Sequence, residues 1–139
     1  MSRIFTYKSA ALLVALSLTA TVRSNAQETS ATSGAVFVMT NSNTGNDILQ
    51  FLRNPNGSLV LVGKTPTGGN GTGGTTDPLA SQHSLLLTSD SRYLLAVNAA
   101  SGTISSFAVI GAFLLPTGIV SSGGGFPNAL AQSGNLVYV

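Results

Sequence analysis

Between residues 83 and 110 the chain reads HSLLLTSDSRYLLAVNAASGTISSFAVI, and this stretch limits the possible fold more than any other. Three apolar residues, Leu85, Leu86 and Leu87, lead into a polar cluster of Ser89, Asp90, Ser91 and Arg92. A second apolar run covers 93–97, a second turn covers 98–102, and an alternating run follows with Ile104, Phe107 and Val109. No window in it sustains the 3.6-residue apolar period of a buried helix face. Short β-prone runs bounded by Ser, Asp, Asn and Gly clusters are the pattern of antiparallel strands joined in a meander. The expected class is all-β.

The same grammar extends in both directions. Residues 35–41 (AVFVMTN) predict a first strand, and Gly45 in the following loop supplies a positive φ. Residues 47–53 (DILQFLR) predict a second strand, Asn54-Pro55-Asn56-Gly57 a tight turn, and 58–65 (SLVLVGKT) a third strand. The segment 66–82 carries Gly68, Gly69, Gly71, Gly73 and Gly74, a composition that leaves the backbone bare for close approach. Beyond 110, residues 113–120 predict a strand interrupted at Pro116. A second glycine knot at 122–125 precedes a short run at 129–132, a turn at Ser133-Gly134-Asn135 and an apolar run at 136–139.

The charge balance separates the N-terminal stretch from the rest. Met1 to Ala26 combines basic Arg3 and Lys8, an apolar core at 10–20 and small residues Ser24 and Ala26, the three parts of a secretory signal peptide. The core is about half the ~20 residues that span a bilayer. Residues 27–34 then read as a polar, disordered tether, and 35–139 as the folded domain. From Gln27 onward the chain keeps Arg53, Lys64 and Arg92 against Glu28, Asp47, Asp77 and Asp90, a net charge of −1. The basic footprint of a nucleic-acid binder is missing from that part. Without cysteine, the chain has neither a disulfide framework nor a thiolate metal site. The expected location is extracellular, or periplasmic in a bacterium, with no membrane span after cleavage.

A repeat shows when the strands are laid together. Within VFVMTN (36–41) and LLAVNA (94–99), FVMTN at 37–41 matches LLAVN at 94–98 if Asn41 is set against Asn98, and LVYV at 136–139 matches LLAV at 94–97. Those matches give intervals of 57 and 42 residues, the longer one ascribed to the glycine-rich insertion. A unit of about 42 residues with four strands is the period of a propeller blade.

At TGGNGTGGTTDPLASQHSLLLTSDSRYLLAVN (67–98), with ISSF downstream and GFPNALAQSGNLVYV (125–139) at the end, the chain resembles the lactonase family of seven-bladed β-propellers. That family includes the bacterial-type 6-phosphogluconolactonases and the carboxymuconate-lactonizing enzymes, and the chain also resembles propellers with Tyr-Val-Thr-Asn (YVTN) repeats. The resemblance spans 35–139, most specifically at DPLASQ and SRYLLAVN. It implies blades at about 35–82 and 83–125 and the start of a third at 126–139. Seven blades need about 300 residues, so the chain reads as an N-terminal fragment of a larger propeller. As such it is expected to be inactive alone and to self-associate through unpaired strand edges.

The activity implied is on a sugar lactone or a muconate-type lactone, by hydrolysis or cyclisation, with no cofactor. The alternatives are a non-catalytic extracellular propeller binding a ligand or partner, and an inactive truncated chain. Such chemistry needs an acid or base beside a carboxylate-binding cation. The candidates are Asp77, His83 and Arg92, with Ser81 and Gln82 as ligand-binding positions in the crossing between blades. The possible ligand is a small lactone or organic acid. Asp77, Ser81 and His83 suggest a Ser–His–Asp triad, but no G-x-S-x-G elbow surrounds Ser81, and His83 otherwise reads as a strand-entry residue. Gly69 to Gly74 matches G-x-G-x-x-G, but no helix follows to hold a dinucleotide phosphate. Carboxylates and the lone His83 lack metal-ligand spacing. Asn56 and Asn70 head glycosylation sequons, relevant in a eukaryotic source.

Overall fold

The structure, a computed structural model, describes residues 33–74 and 82–139. The leader at 1–26 lies outside the described residues, as does most of the 27–34 tether. The end of that tether is ordered into the fold: Gly34 opens the first strand.

The described chain is all-β. Strands β1 (Gly34–Met39), β2 (Asp47–Arg53) and β3 (Leu59–Pro66) form one antiparallel sheet in the order β1-β2-β3. Strands β4 (Leu85–Leu87), β5 (Tyr93–Asn98), β6 (Thr103–Ile110) and β7 (Phe113–Ser121) form a second, in chain order. A hairpin of β8 (Ala131–Ser133) and β9 (Leu136–Tyr138) is the third. A 3-10 turn, Ala99–Ser101, joins β5 to β6 and ends on left-handed Gly102.

The second sheet is covered on both faces. Its rear face packs Leu94, Ala96 and Phe107 against Ile48, with Phe37 and Met39 beside it, so the front of the first sheet closes one core. Its front face packs Val97, Ala99 and Ile104 against Leu130, ahead of β8, which closes the other. The third sheet is tied in the same direction: Leu130 N–H donates to the His83 carbonyl at 3.0 Å, and Ser89 N–H donates to Gln132 Oε1 at 2.9 Å. Covered on both faces, β5 and β6 hold more buried residues than any other described strands.

The first two sheets repeat each other, in a register that differs from the sequence match. Ile48 pairs with Met39 and Thr65, and Ile104 pairs with Val97 and Val120. β2 and β6 then both shift register after their fourth residue, at Gln50/Phe51 and at Ser106/Phe107. Each shift leaves one unpaired residue on the following strand, Val62 or Thr117, which defines a β-bulge. This register sets Thr40 against Asn98, because Thr40 N–H bonds the Asp47 carbonyl while Asn98 pairs with Thr103. Matching Asn41 to Asn98 was one residue out. Side chains alternate between faces, so that slip would have turned the whole strand over. The structural offset between the first two sheets is accordingly 56 residues, from Ile48 to Ile104, one less than the 57 of the sequence match.

Pro116 also differs from expectation. It does not interrupt β7, which runs unbroken from Phe113 to Ser121 with Pro116 opposite Phe107. β7 is an edge strand and Pro116 adjoins the bulge, the two places where a strand tolerates a missing N–H.

Candidate functional site

Four connections gather at one end of the sheets: the β1–β2 loop at 40–46, the chain leaving β3 at 67–74, the β5–β6 turn at 99–102 and the chain leaving β7 at 122–130. Antiparallel pairing dictates this. The end of β1 and the start of β2 lie beside the end of β3, since Asp47 pairs with Pro66. Thr103 pairs with Ser121 in the same way.

A buried carboxamide–hydroxyl network organises this end. Asn98, fully buried, uses all four of its hydrogen-bonding sites. Its Oδ1 accepts from Asn46 Nδ2 at 3.1 Å and lies 2.7 Å from the Thr67 hydroxyl, while its Nδ2 donates to Thr103 Oγ1 at 3.1 Å and to Ser105 Oγ at 2.8 Å. Ser105 in turn donates to the Thr67 carbonyl at 2.7 Å. Asn46 Oδ1 accepts from Asn41 N–H at 2.9 Å and Thr40 Oγ1 at 3.2 Å. Among the described residues no buried side-chain polar atom lacks a partner, so the network is closed.

Glycine makes the approach possible. A Cβ on Gly69 would stand 2.6 Å from Asn98 side-chain carbons, and one on Gly71 would stand 2.4 Å from the Asn41 carbonyl carbon. Gly71 N–H donates to the Ser42 carbonyl and Gly73 N–H to that of Asn41, while Asn41 grips Thr72 through N–H to Oδ1 and Nδ2 to Oγ1, both at 2.9 Å. The glycine-rich stretch therefore works as a close backbone track along the β1–β2 loop.

The sequence-derived site residues are not all brought together. Asp77 and Ser81 lie outside the described residues. Gln82 and His83 are exposed at the loop end, His83 in the left-handed region at φ 64°, two residues before β4. Arg92 is at the other end of the β4–β5 hairpin, in the turn closed by Thr88 N–H to the Tyr93 carbonyl. With strand residues advancing ~3.3 Å each, the five steps from 83 to 88 separate His83 from Arg92 by roughly 17 Å. Arg92 instead lies over the Tyr93 ring at 5.9 Å. Asp90 in that turn accepts from Thr88 Oγ1 at 2.6 Å and from Arg92 N–H at 3.1 Å. The Thr88 hydroxyl foremost, then the Arg92 N–H, hold its carboxyl below the usual range.

Asn56 is exposed in the β2–β3 turn, where its Oδ1 accepts from Ser58 N–H at 3.0 Å, and Asn70 is exposed at the loop end. Among the described residues no His/Asp/Glu cluster could hold a metal ion, and no helix is long and apolar enough to cross a membrane.

The network residues Asn46, Thr67 and Ser105 went unnoticed in the sequence, and Asn98 stood out only as a repeat marker. The one local signal was a polar residue closing an otherwise apolar strand, LLAVN. No family model matches the chain, and no curated protein or solved structure does so either.

Proposed function

We propose that the chain is a secreted, lactonase-like propeller segment whose loop-bearing end takes up a small lactone or related organic acid. The observation that carries this reading is the gathering of four connections at one end of stacked, repeating sheets, with His83 and Gln82 exposed there. Stacked antiparallel sheets with crossings at one end are the build of a propeller, and ligands favour the loops that a rigid scaffold presents. The resemblance at DPLASQ and SRYLLAVN supplies the lactone. Within that reading His83 acts at the loop end, with Asp77, Ser81 and Gln82 on the same crossing. Arg92 takes no part, because it belongs to the opposite end.

Ligand binding without turnover is the second reading. What favours it is the separation of His83 from Arg92, which denies a carboxylate-binding cation to the one imidazole. A turnover assay of the secreted chain and of a longer protein carrying the same repeats, on a sugar lactone and a muconate-type lactone, tests both. Turnover lowered by His83→Ala and Asp77→Ala but not by Arg92→Ala supports the enzyme. Absent turnover with calorimetrically detected binding of the lactone supports the binder. Neither turnover nor binding sinks the lactone reading.

A further inference from the structure

The chain holds two Asn-Gly pairs, Asn56-Gly57 and Asn70-Gly71. In such a pair the glycine main-chain nitrogen is one ring closure away from the asparagine carboxamide carbon, and no Cβ crowds its approach. By sequence the two pairs are equivalent. Their surroundings differ.

Asn56 lies in the β2–β3 turn, and the contacts that matter all fall between Asn54 and Ser58. Asn56 Oδ1 accepts from the Ser58 N–H at 3.0 Å and from the Ser58 hydroxyl at 2.7 Å. Asn54 Nδ2 donates to that same hydroxyl at 3.0 Å, which leaves the hydroxyl proton turned towards Asn56. Two donors on one carbonyl oxygen draw electrons from Cγ and receive the negative charge that the oxygen carries after attack. The Gly57 N–H makes one bond, to the Asn54 carbonyl at 2.9 Å. Asn56, Gly57 and Ser58 are all exposed, so a local opening lets water replace that bond.

Asn70 is fixed from both sides. Its N–H donates to Ser101 Oγ at 2.7 Å, and its carbonyl accepts from the Ala100 N–H at 3.1 Å. Gly71 is buried, its N–H donates to the Ser42 carbonyl at 2.7 Å, and a Cβ there would meet the Asn41 main chain. Freeing that nitrogen means lifting the glycine-rich track off the β1–β2 loop.

We propose that the β2–β3 turn is a self-modifying site, where Asn56 loses its side-chain amide to its own backbone while Asn70 keeps its amide. The Gly57 N–H gives its proton to hydroxide, and the nitrogen bonds to Asn56 Cγ. The oxyanion held by Ser58 collapses as the Cγ–Nδ2 bond breaks, and Nδ2 takes a proton from water and leaves as ammonia. Water then opens the five-membered imide at either carbonyl, leaving aspartate or isoaspartate at position 56. The sum is one water consumed and one ammonia released. Each event puts a negative charge in a turn that has none and removes the asparagine heading the sequon at 56–58. The inference is independent of the lactone reading.

The test holds the full chain, made in a host that adds no glycan, in warm neutral buffer enriched in heavy-oxygen water. Peptide mass spectrometry then follows label entry at positions 56 and 70. Position 56 is expected to be modified at least about tenfold faster, because position 70 must first break buried bonds. In concentrated urea the two rates are expected to converge, since only the fold separates them. Ser58→Ala should slow position 56 and leave position 70 unchanged, whereas loosening of the turn by itself would speed it. Ser58→Thr, which keeps the hydroxyl, should restore the rate. A chain unmodified at both positions overturns the proposal, as does position 70 reacting as fast as 56 in the folded chain. So does a preference that survives unfolding, or a Ser58→Ala rate that is unchanged or raised.

Discussion

Thr67 and Ser122 hold the same place in two successive sheets. The Thr67 N–H and hydroxyl both meet the Asn46 carbonyl, at 2.8 and 2.9 Å, and the Ser122 N–H and hydroxyl both meet the Gly102 carbonyl, at 2.9 and 3.0 Å. Each is followed by a left-handed glycine, Gly68 at φ 81° and Gly123 at φ 78°. Each hydroxyl then accepts the N–H two residues on, from Gly69 at 3.2 Å or Gly124 at 3.3 Å. A hydroxyl that can turn back on its own backbone and tie a neighbouring carbonyl ends the edge strand, β3 or β7, and aims the chain into its crossing. What distinguishes the two is Asn98, which reaches Thr67 from the next sheet.

Removing that side chain should be costly. Asn98→Ala leaves Asn46 Nδ2 without its better acceptor and takes the shared donor away from Ser105 and Thr103. Stranding buried polar groups costs about 1–3 kcal/mol for each one left without water, so a loss of about 3 kcal/mol is expected by urea denaturation. Asn98→Asp should be no milder, because a carboxylate cannot donate to Ser105 and Thr103. A loss below about 1 kcal/mol for Asn98→Ala would mean that water replaces the carboxamide.

Two glycines should respond oppositely to a methyl group. At Gly71 a Cβ collides with the Asn41 backbone, whereas at Gly124 nothing lies within 4 Å and φ is not in the left-handed region. Gly71→Ala is expected to cost about 2 kcal/mol or more through overpacking against an immovable main chain. Gly124→Ala should be neutral, or stabilising by up to about 1 kcal/mol, through a restricted unfolded chain. Paired thermal melts check the contrast, and equal effects would contradict it.

Asp90 carries a pH signature. Its folded pKa lies below the ordinary value of 3.8, chiefly through the Thr88 hydroxyl and then the Arg92 N–H. A depressed carboxyl contributes stability that is present above the unfolded value and is lost as pH falls through the folded one. The turn therefore loosens only under acid conditions below 3.8 and is indifferent to pH near neutrality. Thr88→Val should move the Asp90 titration, followed by NMR at its carboxyl carbon, back up towards 3.8. An unmoved titration would assign the shift elsewhere.

The strands and turns were written locally. Residues 47–53 alternate and are bracketed by Asn46 and Asn54, and they form β2 with those bounds. Gly45, Gly57, Gly102 and Gly134 occupy turns at positive φ, as residues without a Cβ can. Such features depend on neighbours a few positions apart, so composition and spacing express them. The leader, Asp77 and Ser81 belong to what the sequence alone proposes, since they fall outside the described residues.

Register, bulges and the buried network were decided by the tertiary structure. Whether Thr40 or Asn41 corresponds to Asn98 turns on a single residue, and a strand's apolar composition is the same under either alignment. Pro116 could stay in β7 only because a bulge and an edge position were there to receive it. Asn98 meets Asn46 across 52 positions and Thr67 across 31. Nothing within a few residues of an asparagine distinguishes one that ends in a solvated turn from one that closes two sheets. Only the packing of those sheets removes the water and so makes the complementary hydroxyls necessary.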